Sequence, residues 1–567
     1  MFLCPDYNVG RAVGGRSFPP RKGLKPAAEG LSDGATLRFP VMFPAIALIL
    51  TAAAPQSAMP QAPFRTSTRL VQINVVVHDK NGPVANLTKN DFTVSDRGKP
   101  QIISIFSVES VAAAANEATV APQNTFSNKQ RGTSSVPNAV TIVLLDRVNT
   151  FNSSAGEPYE YSAAWIEDHA LGSAKQQLLK FVKNLDPKES VAIYSLGKSL
   201  SVLCDFTSDR RELTTILSKY RATSLTNGEE VNPHAIHTPV PGDFNAMVDG
   251  DRRSLARLAN AERTATTMTA LMEIAAHVAN IPGRKNLVWL TANLPFSGIE
   301  IARALSRANI AIYPVDARGL LPHAPPVIED AGSYVASLNP RSLSEARPAG
   351  LSTMQELADE TGGRAFVNTN DLSGAIRKAM ADSVVTYTLG FYVESQWLDG
   401  KFHDLKVRVD RSGLDVRYPK GYFALKDIPA SDRQNNLQTA LRSPLEFAAI
   451  PLLAQIDKVS EPMPNSLRIA VHMNIQNIQL AESGDLRKGM VEIYLFQQDA
   501  AGLTIDQKRQ KLSLSLTKED YAAYLKSGIS FQESVQPKNG LATLRILAGD
   551  PSGDAIGSLI IPVTHIK

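Results

Sequence analysis

Val140-Thr-Ile-Val-Leu-Leu-Asp146 decides the fold. Five apolar residues and one threonine follow one another without polar alternation and stop on a carboxylate. In a strand, successive side chains point to opposite faces, so a run of this kind is covered on both faces. Two covered faces require helices above and below, and helical crossovers join parallel strands. The same texture returns in Val191-Ala-Ile-Tyr194, Ser201-Val-Leu-Cys-Asp-Phe206, Asn286-Leu-Val-Trp-Leu-Thr291 and Ile310-Ala-Ile-Tyr-Pro314. Helical patterns lie between: 161–184, a stretch opened by Asp209-Arg-Arg-Glu212 with capping-box spacing, 299–308, 352–360 and 371–383. A further helix reads as running from a cap at Thr269 to Asn280, after an irregular insertion over 223–263. The alternation predicts a doubly wound α/β domain over residues 138–383.

Outward from this centre the period changes to two. Leu70-Val-Gln-Ile-Asn-Val-Val-Val77, Asp91-Phe-Thr-Val-Ser-Asp96 and Gln101-Ile-Ile-Ser-Ile-Phe106 read as strands within 68–110. So few strands bury little alone. Their expected partners are the strand patterns within 384–425, so the α/β domain reads as inserted in a β domain. Residues 111–137 read as a linker, and 437–567 as a C-terminal β-rich, sandwich-like domain without convincing long helices.

Residues 1–64 read as an unstructured extension with a signal segment: Arg38 precedes the apolar run Phe39 to Ala54, which is shorter than a membrane span. The expected location is extracytoplasmic, secreted or periplasmic, with no stable transmembrane span in the mature protein. Over 567 residues, 59 basic and 55 acidic side chains leave a net charge of +4, too diffuse to indicate a nucleic-acid partner. Cys4 and Cys204 are the two cysteines, which excludes a disulfide-stapled scaffold and makes Cys204 a small buried hydrophobe. There is no G-x-S-x-G elbow and no Gly-rich phosphate loop after the first α/β strand, and His234 and His237 lack the companions of a zinc site. No enzyme is therefore expected, and a hydrolase remains only through an unmarked constellation.

Several separate pieces carry a family resemblance: Val75-Val-Val-His-Asp-Lys-Asn-Gly-Pro-Val84, Leu87-Thr-Lys-Asn-Asp-Phe-Thr-Val94, Leu144-Leu-Asp-Arg-Val-Asn-Thr150, Gly283-Arg-Lys-Asn-Leu-Val-Trp-Leu290, Ile312-Tyr-Pro-Val-Asp-Ala-Arg-Gly319, Asp399-Gly-Lys-Phe402 and Lys420-Gly-Tyr-Phe423. Over roughly residues 68 to 425 the chain resembles von Willebrand factor A-related proteins of acidobacterial-type bacteria. The resemblance implies a von Willebrand factor A-like fold. Metal-dependent members of that superfamily hold Mg²⁺ through Asp-x-Ser-x-Ser, a Thr on a second loop and an Asp on a third. Asp146 matches the first Asp, Thr150 the second Ser, and Thr269 is the best match to the Thr; Val148 and Asn293 depart from the pattern. The implied metal site is therefore degenerate, with Asp146, Thr150 and Thr269 as its remnant and Asn149, Thr291, Asn293 and Asp316 as a binding rim. No cofactor is expected, and any Mg²⁺ binding should be weak or absent. The expected function is binding of a protein or cell-surface polymer; the alternative is a structural or assembly subunit of the cell envelope.

Overall fold

The computed structural model describes residues 68–110, 123–128, 139–149, 163–187, 189–220, 242–281, 283–291, 294, 301, 305, 308–317, 352–367, 369, 371–394, 397–424, 430–459, 466–553 and 555–566. The expected signal segment within 1–64 lies outside them. No helix among the described residues is long and apolar enough to cross a membrane.

The central sheet has the strand order Ile310–Asp316, Arg284–Thr291, Ala139–Asp146, Val191–Leu196, Leu200–Thr207. The first four strands are parallel. Leu200–Thr207 instead returns antiparallel beside Val191–Leu196. Only residues 197–199 separate the two, far too few for a crossover, so a hairpin is the connection available.

Period-two alternation sends the strand residues into two separate cores. Val140, Ile142, Leu144, Leu287 and Trp289 pack with Leu271, Ile274 and Val278 of the helix Gly242–His277 and with Met354 and Leu357 of a helix over 352–361. Val143, Leu145, Val288 and Leu290 pack on the opposite face, against Leu178 and Phe181 of Ala163–Lys183, Leu213 and Leu217 of Arg210–Lys219, and Ile376 of Leu372–Ala381. The mixed, mostly parallel sheet with helices on both faces was readable from the continuous apolar runs. Beyond Ile310–Asp316 the sheet is extended by one bridge, Phe366 to Val315. Phe366 follows a turn in which Gly362 has φ +74° and a side chain on Gly363 would collide with the Ile312 carbonyl.

The flanking strands form antiparallel sheets. Thr68–Asp79 pairs with Val385–Glu394 over eight positions, from Thr68 opposite Glu394 to Val75 opposite Tyr387. Phe402–Val409 pairs with Phe92–Asp96. Between these sheets lie Ile73, Val75, Phe92, Tyr387, Phe391 and Val407. Towards the C-terminus, one sheet contains Ile529–Val535, Ser466–Met473 and Leu452–Val459, and another is built on Leu486–Gln498, Thr504–Leu516, Thr543–Gly549 and Ile556–Pro562. Their inner faces share one core.

Three features of this region differ from the sequence reading. The helix Ala430–Arg442 runs across the expected domain start at residue 437, and Lys518–Ser527 is a further helix capped by Thr517. Within the stretch read as a linker, Thr125–Ser127 is an edge strand paired to Leu452–Val459. Its neighbour Asn128 explains why so polar a segment docks. The buried Asn128 amide donates to the carbonyls of Phe447 (2.8 Å) and Ile450 (2.9 Å), while its oxygen accepts from the Leu452 amide (2.7 Å). One side chain thus completes the backbone pairing of the loop that leads into the sheet.

Between the α/β domain and this C-terminal region lies a buried polar junction. His277, at the end of the long helix, contacts the Glu446 carbonyl through Nδ1 (2.7 Å) and the Asp205 carboxylate through Nε2 (3.2 Å). Both partners are acceptors, so the imidazolium satisfies both contacts. Burial lowers the His277 pKa, but the Asp205 carboxylate and the Glu446 carbonyl outweigh it and the net shift is upward. One turn earlier, burial pushes Glu273 up to about 7, against hydrogen bonding from Ser443 and the charge of Arg545.

Replacing Asn128 by Ala strands two carbonyls and one amide. The expected cost is about 1–3 kcal/mol, read as a lower urea midpoint for the C-terminal region. A second expectation concerns pH. Both folded-state pKa values at the junction are raised, so the stabilisation is full below the unfolded values and is lost as pH rises: past about 7 for Glu273, and above 6.5 for His277. Hydrogen exchange at residues 270–281 and 443–450, corrected for intrinsic rates, should therefore quicken between pH 6 and pH 8, and Glu273→Gln should flatten that dependence.

Candidate functional site

The carboxyl ends of the parallel strands are where open α/β sheets present their ligands. Asp146, Thr291 and Asp316 end three adjacent strands there, with Thr291 directly opposite Asp316 in register. Asp146 is 3% exposed, and its carboxylate is enclosed by donors. Asn149 donates twice, its backbone amide to Oδ1 (3.0 Å) and its side-chain amide to Oδ2 (2.9 Å). The Trp289 indole N–H donates to Oδ2 (2.9 Å). Thr291 adds a side-chain hydrogen bond. Burial pushes the Asp146 pKa up, and the bonds from Asn149, Thr291 and Trp289 oppose the rise.

The threonine of the long helix that reaches the Asp146 cage is Thr267, not Thr269. Thr267 is fully buried and its Oγ1 accepts the second hydrogen of the Asn149 amide (2.8 Å) while donating to the Arg263 carbonyl (2.8 Å). Thr269 is exposed, because Gly242–His277 is already helical at that point and two residues turn a helix by about 200°. The helix does not begin at Thr269, so that residue caps nothing. Stepping back one turn from the inward residues Ala270, Leu271 and Ile274 leads to Thr267, and this was the signal available in the sequence.

Trp289 was missed as a site residue. It shares a face with Leu287 and Thr291 and lies opposite Leu144 in register, which puts its indole diagonally beside Asp146. A buried indole N–H needs an acceptor, and the strand-terminal carboxylate is the nearest charge. Of the expected rim, Asn149 is 1% exposed, Thr291 0% and Asp316 4%. These three form a floor rather than a rim, since strand-end polar groups bond to one another and to backbone: the Asp316 amide, for instance, donates to the Phe366 carbonyl (2.9 Å). Thr150 and Asn293 lie outside the described residues.

Among the described residues, the donor set around Asp146 does not fit a hard cation. Mg²⁺ takes oxygen ligands in near-octahedral geometry, whereas the Asp146 carboxylate faces three N–H groups that cannot coordinate metal. Asn149 Oδ1 is the one atom of the cage that is buried without a hydrogen-bond partner among the described residues, and a single neutral carbonyl is a poor nucleus for a site. Among the described residues no three His, Cys, Asp or Glu side chains converge to hold a metal ion.

No family model matches the chain, and no curated protein matches it. Solved structures similar to it include BatB from Bacteroides thetaiotaomicron, at 16% identity over 43% of this chain and 98% of that one, with a TM-score of 0.24. Another is the von Willebrand factor type A protein from Catenulispora acidiphila, at 10% identity over 63% of this chain and 82% of that one, with a TM-score of 0.23. A third is proximal thread matrix protein 1 from the mussel byssus, with a zinc-occupied MIDAS motif, at 10% identity over 44% and 46%, again with a TM-score of 0.23. At these scores the likeness carries no statement about activity.

Trp289→Phe keeps the ring but removes the indole donor. The buried carboxylate then loses a charge-assisted hydrogen bond, so the α/β domain is expected to lose about 1.5–3 kcal/mol in a denaturation titration. Thr269→Ala, on the exposed face, should stay within about 0.5 kcal/mol of the parent.

Proposed function

We propose that this chain is an extracytoplasmic binding protein, not an enzyme, whose von Willebrand factor A-like domain engages a protein or cell-surface polymer without a divalent cation. The observation that carries the reading is the Asp146 cage, in which neutral N–H donors stand around the carboxylate. Such a site holds the strand ends together and leaves partner contact to the loops that continue the chain after Asp146, Thr291 and Asp316. The export assignment rests on the apolar run Phe39 to Ala54, and the kinship with acidobacterial-type proteins rests on the sequence pieces that carry the resemblance.

The alternative reading, an envelope assembly subunit joined through its β surfaces, is disfavoured by the outer strand Thr504–Leu516. Among the described residues that strand pairs on one side only, and Lys508, Arg509 and Lys511 stand on it. Lysine-rich edges of this kind guard against strand addition.

Three measurements test the proposal. Calorimetric titration with MgCl₂ should give no stoichiometric binding, and capture of a partner from the producing cell's envelope fraction should be unchanged by EDTA. Micromolar Mg²⁺ binding that disappears in Asp146→Ala together with partner capture would overturn the cation-free reading. Fractionation of the C-terminally tagged protein should recover it outside the cytoplasm with a shortened N-terminus; a full-length cytoplasmic product would contradict export.

A further inference from the structure

A cleft of about 640 Å³ lies far along the chain from the Asp146 cage, between the helix Ala430–Arg442 and the sheet containing Leu486–Gln498. Its size falls within the roughly 300–1,000 Å³ of small-molecule sites. The sheet is wider than the helix that covers it. Leu437 and Leu441 pack over Phe496 and Leu547, while the neighbouring Thr504–Leu516 strand keeps Gln507, Arg509 and Lys511 exposed.

The floor is aromatic. Tyr494 and Phe496 alternate onto one face of their strand, with ring planes 8° apart and centroids 5.9 Å apart, so the half-buried Tyr494 extends a flat apolar strip begun by the buried Phe496. Arg509, opposite Tyr494 in register, lies 5.4 Å from its ring centroid.

The polar groups left for a ligand are mostly donors. Both carboxylates of the cleft are already engaged: Glu492 by Arg509 (2.5 Å), by the Tyr494 hydroxyl (2.6 Å) and by Lys511 (3.7 Å), and Asp550 by the backbone amides of Gln479 (2.6 Å) and Ser552 (2.8 Å). Of the side chains lining the cleft, Arg433, Lys508 and Arg509 are basic and Glu492 and Asp550 acidic, and the Arg509 side chain is 51% exposed. Around them the primary amides of Gln434, Gln438 and Gln507 line the same space.

We propose that this cleft binds an acidic oligosaccharide. A pyranose ring offers an apolar C–H face to the Tyr494 strip, and its hydroxyls bond to the amides. A sugar carboxylate supplies a further acceptor for Arg509, since an exposed guanidinium keeps N–H groups beyond those given to Glu492. A nucleic acid strand would also stack and carry charge, but two internal carboxylates beside so few cations give a weak phosphate track. The cleft is independent of the Asp146 cage, so either can fail without the other.

The test is titration of the full chain with tetragalacturonate, with uncharged cellotetraose and a short oligothymidylate as comparisons. Saturable binding of tetragalacturonate is expected, about tenfold tighter than cellotetraose and weakened about tenfold by Arg509→Gln. Gln438→Trp, at an exposed helix position, should weaken it similarly by filling the cleft, while far-ultraviolet circular dichroism stays unchanged. Absence of saturable binding, equal affinity for cellotetraose or oligothymidylate, or full affinity in a folded Gln438→Trp protein would each overturn the proposal.

Discussion

A carboxylate buried at the end of the central strand constrains much of what surrounds it. Asp146 ends a strand whose two faces are both covered, so its charge cannot reach water. Leaving such a group unpaired would cost several kcal/mol. The Asn149 amides, the Trp289 indole and Thr291 meet this requirement, and Thr267 holds Asn149 in turn. The cage joins two parallel strands, the loop after the first and the long helix. It thereby fixes that end of the sheet.

The same demand, that buried polar groups find partners, organises the rest of the chain. Asn128 completes the backbone pairing of Phe447, Ile450 and Leu452. Arg284, buried at the start of its strand, donates to Tyr313 (2.9 Å) and to the Gly362 carbonyl (2.6 Å), and the Tyr313 hydroxyl continues to Asp382 (2.8 Å). Asp382 then pairs with Arg417 from the flanking β strands. Each chain of contacts crosses between elements that hydrophobic packing alone would leave free to slide, which is where directional bonds add specificity.

How much was legible in the sequence follows from which signal was periodic. Continuous apolar runs such as Val140 to Leu145 announce a strand covered on both faces, and they located the parallel sheet. Leu200–Thr207 has a mixed pattern, and its direction was set by a three-residue connection rather than by texture. Thr267 was missed because a cap was placed inside a longer helix, although the phase of Ala270, Leu271 and Ile274 points to it. Trp289 was legible as a core residue; its role as a donor depends on strand register, which one sequence does not show. Thr125–Ser127 carries little hydrophobic signal beyond Phe126, and its docking rests on one amide side chain.

The central claim is that the Asp146 carboxylate is held by protein N–H groups and has no place for a cation. The most direct measurement is the ¹⁵N–¹H indole resonance of Trp289, assigned by its disappearance in Trp289→Phe and followed during addition of MgCl₂. The expected resonance is strongly protected from solvent exchange and unmoved by Mg²⁺ at constant ionic strength. An indole proton that exchanges freely, or that shifts saturably with Mg²⁺, would contradict it.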